Sequence, residues 1–254
     1  MIRLLSSLLL FAALPAWADA VSDQLTAAGI VEFTAAYQAW DGARFGAAAE
    51  LFRQASTNAT ANVTNFYWLG AAEFHRCLEL RPDPANAPAA DAAMAAAVAA
   101  LTTAVKLDES HAESHALLAT LYGLKINGSL LRAAWYGPRV EQHRNLAMKF
   151  GATDPRVQYL LGMCQFHTAA KPADWRAALT TLLGAEKLFQ AEDKVPAAPL
   201  EPRWGHDSCL TFTGLACERL GQPAAAADYF RRALAMHPQD SLAQAGLKRI
   251  TGKK

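Results

Sequence analysis

This sequence has no surplus of either charge: 24 Lys and Arg stand against 23 Asp and Glu, a formal net charge of +1. Nucleic-acid binding needs a basic stripe to neutralise phosphates, so that class is excluded. A dense basic cluster for anionic lipid is equally missing, with Lys248, Arg249, Lys253 and Lys254 forming only a modest tail. Cysteine is scarce, and Cys77, Cys164, Cys209 and Cys217 include no C-x2-C pair. Zinc-ribbon and c-type haem chemistry therefore have no ligand framework. Cys209 and Cys217 lie eight residues apart on one expected helix, roughly 12 Å of rise and too far for a disulfide. They read as buried packing thiols, while a bond such as Cys77 with Cys164 stays open. Runs of β-branched residues are few and alanine is abundant, which points to an all-α chain. No nucleophile elbow, phosphate loop, dinucleotide fingerprint or paired-acid motif appears.

The N-terminus carries Arg3, an apolar stretch from Leu4 to Leu14, and then Ala16-Trp17-Ala18. This is the order of a signal peptide, expected over residues 1–18, with a second cut site at Ala18-Asp19-Ala20. The run is too short to span a bilayer, which takes about 20 residues. Export to a bacterial periplasm is expected, with no integral membrane segment after cleavage. Cleavage removes Arg3 and no acid, leaving the charges balanced. Residues 19–28 read as a linker.

What the chain does contain is a spaced pattern. Near the C-terminus, Gly214, Ala226, Phe230, Ala233 and Pro238 alternate small residues with one large aromatic and a closing proline. Gly221-Gln222-Pro223 supplies glycine past one helix end and proline at the start of the next. This spacing resembles the tetratricopeptide repeat family. Weaker copies precede it: Ala48, Phe52 and Ala55; Leu69-Gly70 with Ala97, Leu101 and Ala104; His115, Leu118, Ala119 and Tyr122, ending near Ala147; and Leu161-Gly162 with Ala178, Leu182 and Ala185. Starts fall near Gly29, Val63, Ala112, Pro155 and Asp207. The resemblance implies a right-handed α-solenoid of about five helix hairpins over residues 29–240. A capping helix with a basic tail is expected at 241–254. Insertions are expected near 81–90, 127–138 and 194–206, where prolines and glycines gather.

Chemistry has few candidates. His111 and His115 lie four apart, as two metal ligands on one helix face would, but two ligands make no site. His206 near Cys209 has the elements of a Cys-His nucleophile. A simpler account makes Asp207 a helix cap with Trp204 packed against it. Neither a catalytic residue nor a cofactor or metal is assigned.

The family resemblance also implies a groove lined by the first helix of each repeat, where peptides or protein segments bind. Carried onto this sequence, that groove holds Tyr67, Phe74 and His75, then Arg156, Tyr159, Met163, Phe166 and His167, then Glu218 and Arg219. Trp204 and His206 join from the neighbouring loop, since large loop side chains make good anchors. The implied function is a non-catalytic scaffold or adaptor. Two alternatives are an accessory subunit of a larger envelope enzyme or transport complex, and a metal- or redox-linked periplasmic protein using His and Cys.

Overall fold

The computed structural model describes residues 13–252, and every regular element among them is helical. The helices are α1 (Ala13–Ala39), α2 (Gly42–Asn58), α3 (Val63–Leu80), α4 (Ala87–Leu107), α5 (Ala112–Ile126), α6 (Leu130–Gly151), α7 (Pro155–Thr168), α8 (Pro172–Glu192), α9 (His206–Arg219), α10 (Pro223–Met236) and α11 (Ser241–Thr251). A short 3-10 turn, Pro84–Asn86, precedes α4. The chain divides into two compact units: Met1–Tyr37 with Asp41–Leu107, and Gln38–Trp40 with Asp108–Lys254.

Local chemistry sets the helix starts. Asp41, Asn62, Asp154 and Asp240 each accept backbone N–H bonds from the first turn of the helix that follows. Pro155, Pro172 and Pro223 open their helices, where a missing N–H costs nothing.

Packing within the hairpins repeats one contact. A glycine on the first helix faces a large side chain on the second, and an added Cβ would collide with it. Such a carbon on Gly29 would lie 2.5 Å from Phe52, on Gly70 2.4 Å from Leu101, on Gly162 2.8 Å from Leu182, and on Gly214 2.7 Å from Phe230. The capping helix α11 uses the same device, with Gly246 at 2.4 Å from the other side of Phe230. Each large residue sits in an Ala-x3-large-x2-Ala frame whose alanines are fully buried: 48, 52 and 55; 97, 101 and 104; 178, 182 and 185; 226, 230 and 233. Among the described residues, four hairpins and the cap share this repetition, as an α-solenoid of helix hairpins does.

The third hairpin, α5 with α6, departs from it. Ala119 stands where the others have glycine, and the frame on α6 reads Val140-x3-Arg144-x2-Ala147. A charged residue thus occupies the place of Phe or Leu. Of α6, only Ala147 and Gly151 are buried.

Several expected boundaries change. Residues 19–28 form no linker but part of α1, with Ser22 and Thr26 fully buried. Thr26 donates to Asn65 Oδ1 (2.7 Å), Asn65 donates to Ser22 Oγ (2.7 Å), and Ser22 donates to the Ala55 carbonyl (3.2 Å). Their polarity reads as a linker, yet the four-residue spacing puts both on the inner face of a helix. The insertion expected at 127–138 shrinks to the turn Asn127–Ser129, because Tyr136-Gly137-Pro138 lies inside α6. Pro138 and Ala134 are both exposed, so the carbonyl that the proline leaves unpaired stays solvated. The insertion near 81–90 likewise ends at residue 86, with Pro88 in the first turn of α4. The loop expected near 194–206 is irregular up to Gly205. The signal segment falls outside the described residues through position 12. Helix α1 is continuous from Ala13 past Ala16-Trp17-Ala18.

The packing rule is testable. Gly214→Ala should destabilise the protein by about 1–3 kcal/mol through overpacking against Phe230. Gly123, whose added carbon would meet nothing within 4 Å, should tolerate Ala with a gain of up to about 1 kcal/mol. Thermal and urea unfolding of the two variants beside the parent checks both signs.

Candidate functional site

The residues expected to line a groove are mostly inside. Tyr67, Phe74, His75, Arg156, Tyr159, Met163 and Trp204 are buried, Phe166, His206 and Glu218 are half-buried, and only His167 and Arg219 are exposed. His75 stands among the rings of Phe33, Tyr37, Phe45 and Phe74, and its Nδ1 donates to the Ala71 carbonyl at 2.8 Å. Tyr159 packs on Phe212, and its hydroxyl reaches Met163 Sδ at 3.8 Å. Glu218 accepts two bonds from Arg249 of the capping helix, at 2.9 and 2.7 Å. Arg219 lies 5.9 Å from the Trp175 ring. The aromatic and charged residues expected to meet a partner are engaged in joining helices to one another, which withdraws the buried seven from any solvent-facing groove.

Arg156 is the centre of a buried ion network in the second unit. Its Nε donates to Glu113 Oε1 on α5 (2.8 Å), and its two terminal nitrogens grip Glu192 on α8 (2.9 and 2.7 Å). Arg203 then donates to the Glu192 backbone carbonyl (2.7 Å) and to Glu201 (3.0 Å). A helix-end carbonyl and three carboxylates are satisfied by two guanidinium groups, which makes the burial tolerable. Asp154, the cap of α7, bears the strain of this crowding. Burial first, and the negative Glu113 second, push its carboxyl up to about 7.

The reactive side chains are occupied too. His111 caps α5 by accepting the Ser114 N–H at 3.3 Å. His115 Nε2 faces the Glu109 carbonyl (3.0 Å), so it carries the proton, and its Nδ1 accepts from His143 Nδ1 (2.8 Å). Burial and the neighbouring His115 lower His143 to about 4. His206 bonds Asp193 (2.8 Å) and stacks on Phe189, whereas Cys209 is buried and points at the Leu182 carbonyl (3.5 Å). Burial raises the Cys209 thiol, the opposite of what a nucleophile requires. Asp207 is not the cap of α9, a place taken by Gly205 at φ 97°; it pairs with His237 at 3.0 Å. All four cysteines are free thiols. Among the described residues no group of three His, Cys, Asp or Glu side chains is placed to hold a metal ion.

The feature that sequence reasoning missed lies between α5, α6 and α7. A small apolar cleft of about 40 Å³, partly open to solvent, is lined by Ala116, Ala119, Thr120, Val140, Ala147, Leu160 and their neighbours. It exists because Arg144 turns outward to Glu141 (2.6 Å) instead of filling the space opposite Ala119. Thr120 and Cys164, 3.6 Å apart, contribute to the α5 and α7 walls. The signal was present: the frame 140, 144 and 147 shows an arginine where every other hairpin has Phe or Leu.

Two substitutions test the network. Arg156→Ala removes the guanidinium from the buried Glu113 carboxylate and leaves Glu192 with Arg203 at 4.0 Å, and should cost about 3 kcal/mol of stability. Asp154→Asn keeps the cap but removes the titration. Because the folded carboxyl titrates above its unfolded value of 3.8, its contribution is complete below that value and lost as pH rises through about 7. The melting temperature of the parent should therefore fall relative to Asp154→Asn between those limits, then run parallel above.

A tetratricopeptide repeat family profile matches residues 208–250, which span α9, α10 and most of α11. No curated protein matches the chain. Among solved structures it is similar to TTC0263, a thermophilic tetratricopeptide repeat protein of Thermus thermophilus. The TM-score is 0.59 at 14% identity, covering 88% of this chain and 98% of that one. YrrB, a tetratricopeptide repeat protein with an unusual peptide-binding site, matches at TM-score 0.41 and 13% identity over 80% and 84% of the two chains. MamA matches at 0.40 and 15% over 86% and 94%. The first likeness shows a shared fold, and the other two superpose too loosely to inform on this chain. The last hairpin and its cap thus match the tetratricopeptide repeat family by sequence, and the chain shares the fold of a tetratricopeptide repeat protein.

Proposed function

We propose that the chain is a non-catalytic scaffold of the bacterial periplasm that binds a segment of another protein, seated in the cleft between α5, α6 and α7. One observation carries this reading: a repeat whose other hairpins are filled by Phe or Leu leaves a hole at Ala119. A partner can supply the missing large side chain, and the Arg144 guanidinium at the rim favours an acidic neighbour beside it. The fold belongs to interaction scaffolds, and His206 and Cys209, the pair that could support catalysis, turn to Asp193 and to the Leu182 carbonyl. The periplasmic location rests on the Arg3, Leu4–Leu14 and Ala16-Trp17-Ala18 pattern.

Arg144→Leu tests the reading because it restores the residue type of the other hairpins. Filling the hole should raise stability by about 1–2 kcal/mol. A photo-crosslinking residue at position 161, beside the cleft, should trap a specific partner in intact cells. That adduct should disappear in the Arg144→Leu background. An unchanged adduct in the stabilised variant would place the partner elsewhere and end the cleft assignment.

A further inference from the structure

The first two turns of α6 show a different kind of surface. Leu130, Leu131 and Trp135 are 88%, 83% and 66% exposed, within six residues of one another. They project from the tip of the α5–α6 hairpin, just past the turn Asn127–Ser129. Three cations that form no dense run in the sequence lie on the same hairpin. The Arg139 guanidinium lies 5.3 Å from the Trp135 ring and 5.9 Å from the rings of Tyr122 and Tyr136. Lys125 Nζ lies 5.7 Å from the Tyr136 ring, and Arg132 follows Leu131 directly. The only acid in α6, Glu141, is held by Arg144 and Asn145.

Apolar side chains this exposed, side by side, mark a contact surface rather than a random scatter. The charge pattern selects the occupant. A second copy of this chain would bring two sets of Lys125, Arg132 and Arg139 together without matching acids, so self-association is disfavoured. A protein groove would have to be shaped to receive a protruding tip. A bilayer deforms around one, places tryptophan and leucine at its interface, and offers phosphates to those cations.

We propose that the tip of the α5–α6 hairpin docks reversibly on an anionic phospholipid surface, with Leu130, Leu131 and Trp135 entering the interface and Lys125, Arg132 and Arg139 meeting headgroup phosphates. This stands apart from the cleft, which opens farther along α6 at Val140, Arg144 and Ala147.

Flotation of the full chain with vesicles tests it, using phosphatidylcholine alone and phosphatidylcholine with about one third phosphatidylglycerol. The N-terminal apolar run is present in every sample, so the difference between variants carries the result. Circular dichroism establishes that each variant is folded. The parent should prefer the anionic vesicles, and added salt should weaken binding. Arg132→Gln with Arg139→Gln should reduce partitioning about 30-fold, as expected for two basic residues near such a surface. Leu131→Asp with Trp135→Asp should reduce it at least as far. A blue shift in tryptophan emission on binding should shrink in Trp135→Phe. Equal flotation on both vesicle types, flotation unchanged in folded variants, or no flotation at all would overturn the proposal. A soluble acidic protein captured at Trp135 without vesicle binding would make the tip a protein-docking face and overturn it equally.

Discussion

The close approach of paired helices rests on one steric relation, a glycine that leaves room for a Phe or Leu. Because no atom stands in the way, Phe52, Leu101, Leu182 and Phe230 reach the opposing backbone, and the flanking alanines let the helix follow. Close-packed interiors allow little tolerance in such an arrangement. Phe230 shows this most fully, held between Gly214 and Gly246 so that one ring joins the last hairpin to its cap. The third hairpin shows what happens when the relation fails. With Ala119 on one side and Arg144 on the other, α6 keeps its helix but not its burial, and an opening remains.

The organisation was readable where this steric relation writes itself into spacing. The starts expected at Val63, Ala112 and Pro155 are those of α3, α5 and α7, and the expected Asp207 lies one residue inside α9. Caps and prolines sharpen those points independently of any tertiary contact. The misread segments were those where local chemistry and tertiary burial disagree. Ser22 and Thr26 are polar, yet each finds a buried partner. Pro138 forbids a backbone bond, yet the helix runs on because the freed carbonyl faces water. Composition cannot report which way such a conflict resolves.

The site was less legible for a related reason. Position within a repeat indicates which helix a residue occupies, but not whether a neighbouring helix covers it. Tyr159 meets both Met163 and Phe212, and Arg156 finds three carboxylate oxygens and almost no solvent. Through Arg203, that same network fastens the loop after α8 to the helices beside it, so the loop's most reactive residues hold it in place. The cleft was legible in principle, as one arginine in the wrong column of a repeat. It becomes visible only once the column is recognised as a packing position.

The triad of Ser22, Thr26 and Asn65 has a consequence for how α1 finds its place. Apolar contacts between alanine-rich helices are forgiving, since a shift by one turn exchanges one small residue for another. Hydrogen bonds are not, because each of these buried groups has its partner at only one depth and one rotation of α1. A slipped or rotated helix would strand three polar side chains away from water. The triad therefore acts as a keyway, rejecting wrong alignments of the first helix rather than merely adding strength to the right one.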